Sequence, residues 1–490
     1  MRSFRLLSPR LSSSTSLRTA LPVTLALGAY CLALLLCFER YVKAGVPLFL
    51  VATFAIALAP AAVYASLRWP LVFPFCLYVL FMPFDSLSSL GKAGSFTKML
   101  GIVSAGAIFL SVLRRGNSVP APRALAAWLA LLCLMGVSIL WSIEKSSATK
   151  ELQVYGSLIA LYALLSIVRV RKIDFNAILT CIVLAGVISG GYDAYLYRNG
   201  QDTINAGAGV SRVIVAVGNS MIDPNELAAA LVLPFAICLY WLFNSRHWLL
   251  RVTMLPALAI LLLGFAASGS RGGFMELAAV FAYLLVRSRH RIWLATIMVV
   301  SVVSALVANP GIPARFAQTQ QDGGAGRSDV WHIGLYAFRD HWLIGAGVGN
   351  FPEAFNREYI HVFARYVLGW DWVAHNVPLT IATELGIFGL AIYALAVVTQ
   401  LTVLRGFWTD TPLFELRLAI EGACIGMFVA GLSTSTLNAK FVWLAFALMP
   451  LMRSYQLTNM ARERPGVSLR RSRGSMPWIA RSRSPLPEGS

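Results

Sequence analysis

The chain is written as long apolar runs broken by short polar bursts, and the bursts are mostly basic. A helix that crosses a bilayer needs about 20 mostly apolar residues. Runs of that kind predict fourteen candidate spans. The first eight are Leu21–Cys37, Val46–Leu67, Trp69–Phe84, Met99–Leu113, Ala124–Trp141, Leu152–Val168, Ala177–Leu196 and Glu226–Phe243. The others are Trp248–Ala267, Gly273–Val286, Ile292–Ala308, His375–Leu404, Leu416–Leu432 and Asn438–Met452. Trp69–Phe84 and Gly273–Val286 are short, and the former carries Pro70 and Pro74. The pattern predicts an all-α fold, a polytopic transmembrane bundle of about 12–14 spans with one large external loop containing short interfacial helices.

Composition agrees with lipid as the solvent. Hydrophobic residues make up 58% of the chain and charged residues 13%, with a mean hydropathy of +0.69. Soluble domains carry about 25% charged residues. The net charge of +19 would suit nucleic acid, but the basic residues sit in bursts between spans, which is how membrane orientation is encoded. With the N-terminus inside, Arg68, Arg114–Arg115, Arg169–Lys172 and Arg287–Arg291 all fall on the cytoplasmic side. Glu39 and Arg40 follow the first apolar run with no small-x-small site, so it is predicted to be an uncleaved helix. All seven cysteines lie in apolar runs and suit buried small hydrophobes better than disulfides.

The expected organisation has a basic cytoplasmic N-terminus (1–20) and transmembrane helices over 21–308, interrupted by an external loop at 197–225. The large external loop (309–374), the last helices (375–453) and a disordered basic cytoplasmic tail (454–490) follow. Within the large loop, apolar positions over Asp329–Asp340, with Trp331 inside and Trp342 beyond, suit an amphipathic helix. It lies either on the membrane surface or packed in a small subdomain. Gly345, Gly347 and Gly349 alternate in a turn that follows no strand, which argues against a dinucleotide fold.

Four of the six histidines, His332, His341, His361 and His375, fall in or at the end of this loop, without metal-ligand spacing. His375 stands where the loop enters a long apolar helix, and imidazole titrates near neutrality, so it suits a general base as well as a helix cap. Arg271 sits between glycines and serines (Ser268 to Gly273), where it either binds an anion or snorkels from a helix end. Arg212 precedes the helix-start sequence Asp223-Pro224-Asn225-Glu226, and Arg327 opens Gly326–Trp331; taken singly, each suits a solvated charge. Together, external arginines beside an interfacial histidine suit a lipid diphosphate, because guanidinium groups bind phosphate oxygens in a fork.

These stretches resemble the bacterial O-antigen ligase and O-antigen polymerase superfamily. The resemblance rests on Arg212 to Ala228, Ser268 to Gly272, Arg327 through Trp331 to Gly345–Phe351, and His375-Asn376 followed by Glu384–Leu390. It implies a metal-independent glycosyltransferase of the bacterial inner membrane, with no cofactor. Such an enzyme moves a glycan from undecaprenyl diphosphate to a hydroxyl acceptor on the periplasmic side, in lipopolysaccharide or exopolysaccharide biosynthesis. The acceptor would be lipid A-core, a growing glycan or a protein. By motif position the resemblance implies Arg212 and Arg271 as diphosphate-binding residues and His375 as the base. Arg327 and Glu384 are possible supporting residues, Glu384 equally well a buried structural carboxylate. A polysaccharide polymerase and a protein O-oligosaccharyltransferase share this chemistry. A flippase or transporter, with Glu276 and Glu421 as ion-coupling carboxylates, is the alternative of another class.

Overall fold

The computed structural model describes residues 48–85, 95–201, 203–205, 211–213, 215–217, 220–309, 311, 313, 317, 327–362, 373–405 and 411–463. The predicted N-terminal segment 1–20 and first span Leu21–Cys37 lie outside them, as does the chain beyond 463. The first helices are α1 (Leu48–Arg68), a short α2 (Phe75–Phe81), α3 (Phe96–Arg115), α4 (Arg123–Ser138), α5 (Lys145–Ile167) and α6 (Lys172–Arg198). Two antiparallel hairpins follow, β1 (Thr203–Asn205) with β2 (Ser211–Val213) and β3 (Val215–Val217) with β4 (Ser220–Ile222). Then come α7 (Pro224–Asn244), α8 (Trp248–Ser268), α9 (Arg271–Arg287) and α10 (Arg291–Ala308). The loop helices are α11 (Arg327–Asp340) and α12 (Phe351–Val362), and the chain closes through α13 (Val377–Leu401), α14 (Thr411–Ala430) and α15 (Lys440–Glu463). The fold is an all-α polytopic bundle, and the hairpins are confined to the loop between α6 and α7.

Among the described residues six helices, α3, α6, α7, α8, α10 and α13, are long and apolar enough to cross a membrane. The candidate Trp69–Phe84 is corrected in form. Its helix is only seven residues long, preceded by a turn and followed by a 3-10 turn at Met82–Phe84. Phe75, Cys76, Leu77, Tyr78 and Val79 are nevertheless buried, so protein rather than lipid surrounds the irregular backbone. The expected tail boundary at 454 falls inside α15, which runs on to Glu463. Packing explains the extension: Ser454 bridges the Val168 carbonyl and the Val170 N–H, and Tyr455 stacks on Phe175. Of the described cysteines, Cys76, Cys238 and Cys424 are buried, Cys181 is half-buried and Cys133 is exposed; all five are free thiols.

An aromatic hub holds the bundle centre. Trp128 of α4 stacks on Phe446 and meets Trp443 and Tyr393 edge-on. Gln400 of α13 sits among them. Its carbonyl accepts from Trp128 Nε1 (3.3 Å) and Tyr162 Oη (2.7 Å), and its amide donates to the Phe446 carbonyl (2.9 Å). One buried amide thereby ties α4, α5, α13 and α15, each polar atom satisfied as burial requires.

Helix α13 bends at Gly386, whose φ of 66° and ψ of −165° break the helical ladder. The alternating-glycine loop satisfies the freed groups. Ala346 N–H donates to the Thr383 carbonyl, Gly347 N–H to the Glu384 carbonyl, and Ile387 N–H to the Trp342 carbonyl. The two backbones touch, since a Cβ on Gly345 would lie 2.2 Å from the Glu384 backbone and one on Gly386 would lie 2.3 Å from the Leu343 carbonyl. Of the two settings expected for the loop helix, the packed one is realised. Val330 and Ile333 of α11 are buried with Phe351, Phe355 and Tyr359 of α12 and with Leu379 of α13.

Candidate functional site

Four helix N-termini meet at one end of the bundle, and three of them are closed by a capping side chain. Asp223 caps α7, accepting from the Asn225 N–H at 2.8 Å, and Ser270 caps α9, accepting from the Gly273 N–H at 3.0 Å. Asn376 caps α13, accepting from the Leu379 N–H at 2.9 Å, and α11 begins at Arg327. Cross-links hold these starts in register. Ser270 Oγ donates to Asn225 Oδ1 at 2.6 Å, joining α9 to α7. Past the end of α14, the Gly431 carbonyl accepts from the Val377 N–H at 2.6 Å and the Leu432 carbonyl from Asn376 Nδ2 at 3.3 Å. The same turn brings Ser433 against Gly272, where a Cβ would come within 2.9 Å of Ser433 Oγ.

Arg271 is the first residue of α9, Arg327 the first of α11, and His375 lies two residues before α13. They are close enough for their charges to act on one another. Burial depresses the Arg327 guanidinium; nearby Asp223 opposes this and Arg271 reinforces it. Burial, and next the charge of Arg327, hold the His375 imidazole below the ordinary histidine value, with Asp223 pulling the other way. His375 is therefore neutral at neutral pH and able to accept a proton. Among the described residues it is also the one non-glycine at positive φ, 46°. That conformation is costly for a side chain and is held from both sides. Trp331 Nε1 donates to the Ala374 carbonyl at 2.8 Å, and Asn376 is fixed by its cap and by Leu432.

The structure thus brings three sequence-predicted residues together: Arg271, Arg327 and His375. For Arg212 it gives the backbone alone. The residue lies in β2 opposite Ile204, and its neighbour Val213 is buried against Leu196, Leu227 and Ala267, at the end of the bundle where α6 and α8 finish and α7 begins. Glu384 stands apart. It is buried in α13, accepts from the Phe351 N–H at 3.3 Å and serves the glycine loop. Asp223 was legible in the sequence only as a helix start, and Trp331 only as an aromatic of the loop helix.

The remaining polar groups have local partners. His332 packs edge-on against Tyr336, and a ring nitrogen of His341 is 3.1 Å from the Ala337 carbonyl. His361 belongs to α12, with its side chain outside the described residues. No group of three or more His, Cys, Asp or Glu among the described residues is arranged to hold a metal. Glu421 is paired with Arg417 (2.7 Å) and with the Tyr283 hydroxyl (2.5 Å). Glu276 is fully buried, with no partner for either oxygen among the described residues.

This is the polar end of a helical membrane protein, arginine-rich and centred on a strained histidine. Residues 256–394 match the family model described as O-antigen ligase, a segment that holds Arg271, Arg327 and His375, and this match supports the resemblance to the O-antigen ligase superfamily. No curated protein matches the chain.

Proposed function

We propose that the protein is a glycosyltransferase that moves a glycan from a polyprenyl diphosphate, undecaprenyl diphosphate by family, to a hydroxyl acceptor. The observation that carries this reading is the meeting of His375 with Arg271 and Arg327 at the starts of α9, α11 and α13. The acceptor oxygen attacks the anomeric carbon and its proton passes to the neutral imidazole of His375. The bond from the anomeric carbon to the phosphate oxygen breaks, and the electron pair leaves with the lipid diphosphate. Arg271, with Arg327 beside it and Arg212 from the hairpin, binds that diphosphate and stabilises the charge growing on it. Attack from the face opposite the leaving group inverts the anomeric centre. The basic helix ends expected in the cytoplasm lie at the other end of the bundle, which supports a periplasmic reaction and a location in the inner membrane.

The test uses purified full-length protein, a defined polyprenyl-diphosphate glycan and candidate acceptors, with the product identified by mass spectrometry. The native protein should form a glycosylated acceptor with inverted configuration. The His375→Ala variant should be about 10²–10⁴-fold slower. Full activity in that variant, with normal folding, would remove the proposed base.

A further inference from the structure

A cleft opens at the far end of α11 from the His375 site. That helix begins with Arg327 at the site and ends with Asp340. Its 14 residues span about 20 Å at the usual rise per residue. The cleft has a volume of about 490 Å³, which suits a small-ligand site. Its walls are Trp141 just beyond α4, Asp340 and His341 at the end of α11, Trp342 and Leu343 in the turn that follows, and Arg357 of α12.

The backbone of the cleft is fixed. Gly345 N–H donates to the His341 carbonyl at 2.8 Å, and Ile143 N–H to the Ala346 carbonyl at 3.2 Å. The glycine loop is tied in turn to α13 through the Thr383 and Glu384 carbonyls. The side chains on the walls, by contrast, are open to a ligand. Trp342 is 56% exposed. Asp340 and Arg357 are exposed too, and neither forms an ion pair among the described residues. The indole N–H of half-buried Trp141 is shielded from solvent and has no acceptor among the described residues. A buried donor in that state calls for a reason.

This set of groups selects among ligands. A free phosphate would meet Arg357 but also the Asp340 carboxylate, which repels it. An apolar chain would desolvate Asp340 and Arg357 and give them no partner. A pyranose ring suits every wall. Its C–H face lies flat on an indole, and its hydroxyls donate to a carboxylate and accept from a guanidinium. We propose that the cleft is a saccharide-binding subsite. Trp342 carries one ring of a glycan, and Asp340 and Arg357 hold its hydroxyls. A slight turn of the Trp141 ring toward the sugar supplies the acceptor its N–H lacks. The identity of the ligand rests on the glycosyl-transfer reading above. About 20 Å from Arg327, the cleft is remote from the bond that breaks, so it grips a distant part of an oligosaccharide and not the reacting sugar.

The test uses the full chain in detergent. Its probe is the oligosaccharide released from the defined polyprenyl-diphosphate glycan, and saturation-transfer NMR reads binding without any turnover. The native protein should bind the probe. Trp342→Ala should weaken binding roughly tenfold, and Asp340→Asn a few-fold. Both side chains are exposed, so Tm should stay level in both variants. Trp248→Ala removes another exposed indole, at the start of α8, and should leave binding unchanged. With the intact donor, Trp342→Ala should raise KM and preserve kcat, as expected of a contact made equally in the ground and transition states. No binding by the native protein, or undiminished binding in both Trp342→Ala and Asp340→Asn, would overturn the subsite. Displacement of the probe by phosphatidylethanolamine would overturn it in favour of a zwitterionic lipid headgroup. Binding that is lost in Trp342→Ala, in a protein that transfers no glycan, would uphold the subsite and remove the transferase reading.

Discussion

His375 and Gly386 are two left-handed backbone positions at the two ends of the upper part of α13, and they solve the same conformational problem differently. At Gly386 a side chain is impossible, because a Cβ would lie 2.3 Å from the Leu343 carbonyl, and glycine is the residue found. At His375 glycine would be the easier residue, yet an imidazole stands there at φ 46°. A side chain in this conformation costs roughly 1–2 kcal/mol. The surroundings offset that cost through the Trp331–Ala374 bond and the Asn376 cap. Gly386 therefore answers to packing alone. His375 keeps strain that packing does not require, which accords with the catalytic role proposed for it.

The largest expected effect separates these roles. His375→Gly should cut glycan transfer by about 10²–10⁴-fold while Tm stays level or rises, since glycine takes this backbone without penalty. A lower Tm with transfer retained would break the comparison. Gly386→Ala should do the reverse, lowering unfolding free energy by about 3 kcal/mol or more through clash and backbone strain. Chemical denaturation would show it, and an unchanged midpoint would mean that the loop and the kink are not in contact.

A smaller effect tests the electrostatics. Arg327 disfavours the imidazolium form of His375, so removing it must raise the His375 pKa. The acid limb of kcat/KM reports the free base. It should lie below the ordinary histidine value in the native protein and move to higher pH in Arg327→Gln, together with a lower maximal rate. A limb that stays in place would separate the two residues. The smallest effect is that of Trp331→Phe. It removes the donor to Ala374 and should cost about 1 kcal/mol of stability, with a few-fold loss of rate if the bond holds His375 in position.

The regions that hydrophobic periodicity describes were the legible ones. Runs such as Pro224–Asn244 and Trp248–Ser268 carry their own length and polarity, and sequence spans of Glu226–Phe243 and Trp248–Ala267 fall on them closely. Trp69–Phe84 was harder, since a short buried helix between turns has the composition of a span without its geometry. At the proposed site, Arg271 and Arg327 open helices and His375 lies two residues before one, so helix-start signals in the sequence pointed to all three. Asp223 was hidden by a cap's ordinary role, and its electrostatic reach to His375 depends on three helices meeting in space. The partnership of Glu384 with the glycine loop depends equally on a contact between distant segments, although the glycines themselves were plain.

Gln400 gives α13 a fixed anchor near its far end, because its amide makes three hydrogen bonds to three other helices. A piston-like slide of α13 by one residue, about 1.5 Å, would rupture all three inside a dry aromatic nest. The upper segment is held in turn at the Gly386 kink by the glycine loop and at its start by the Gly431 carbonyl. On the proposed role of His375, an incoming hydroxyl has to find a tool mounted on a bolted shaft.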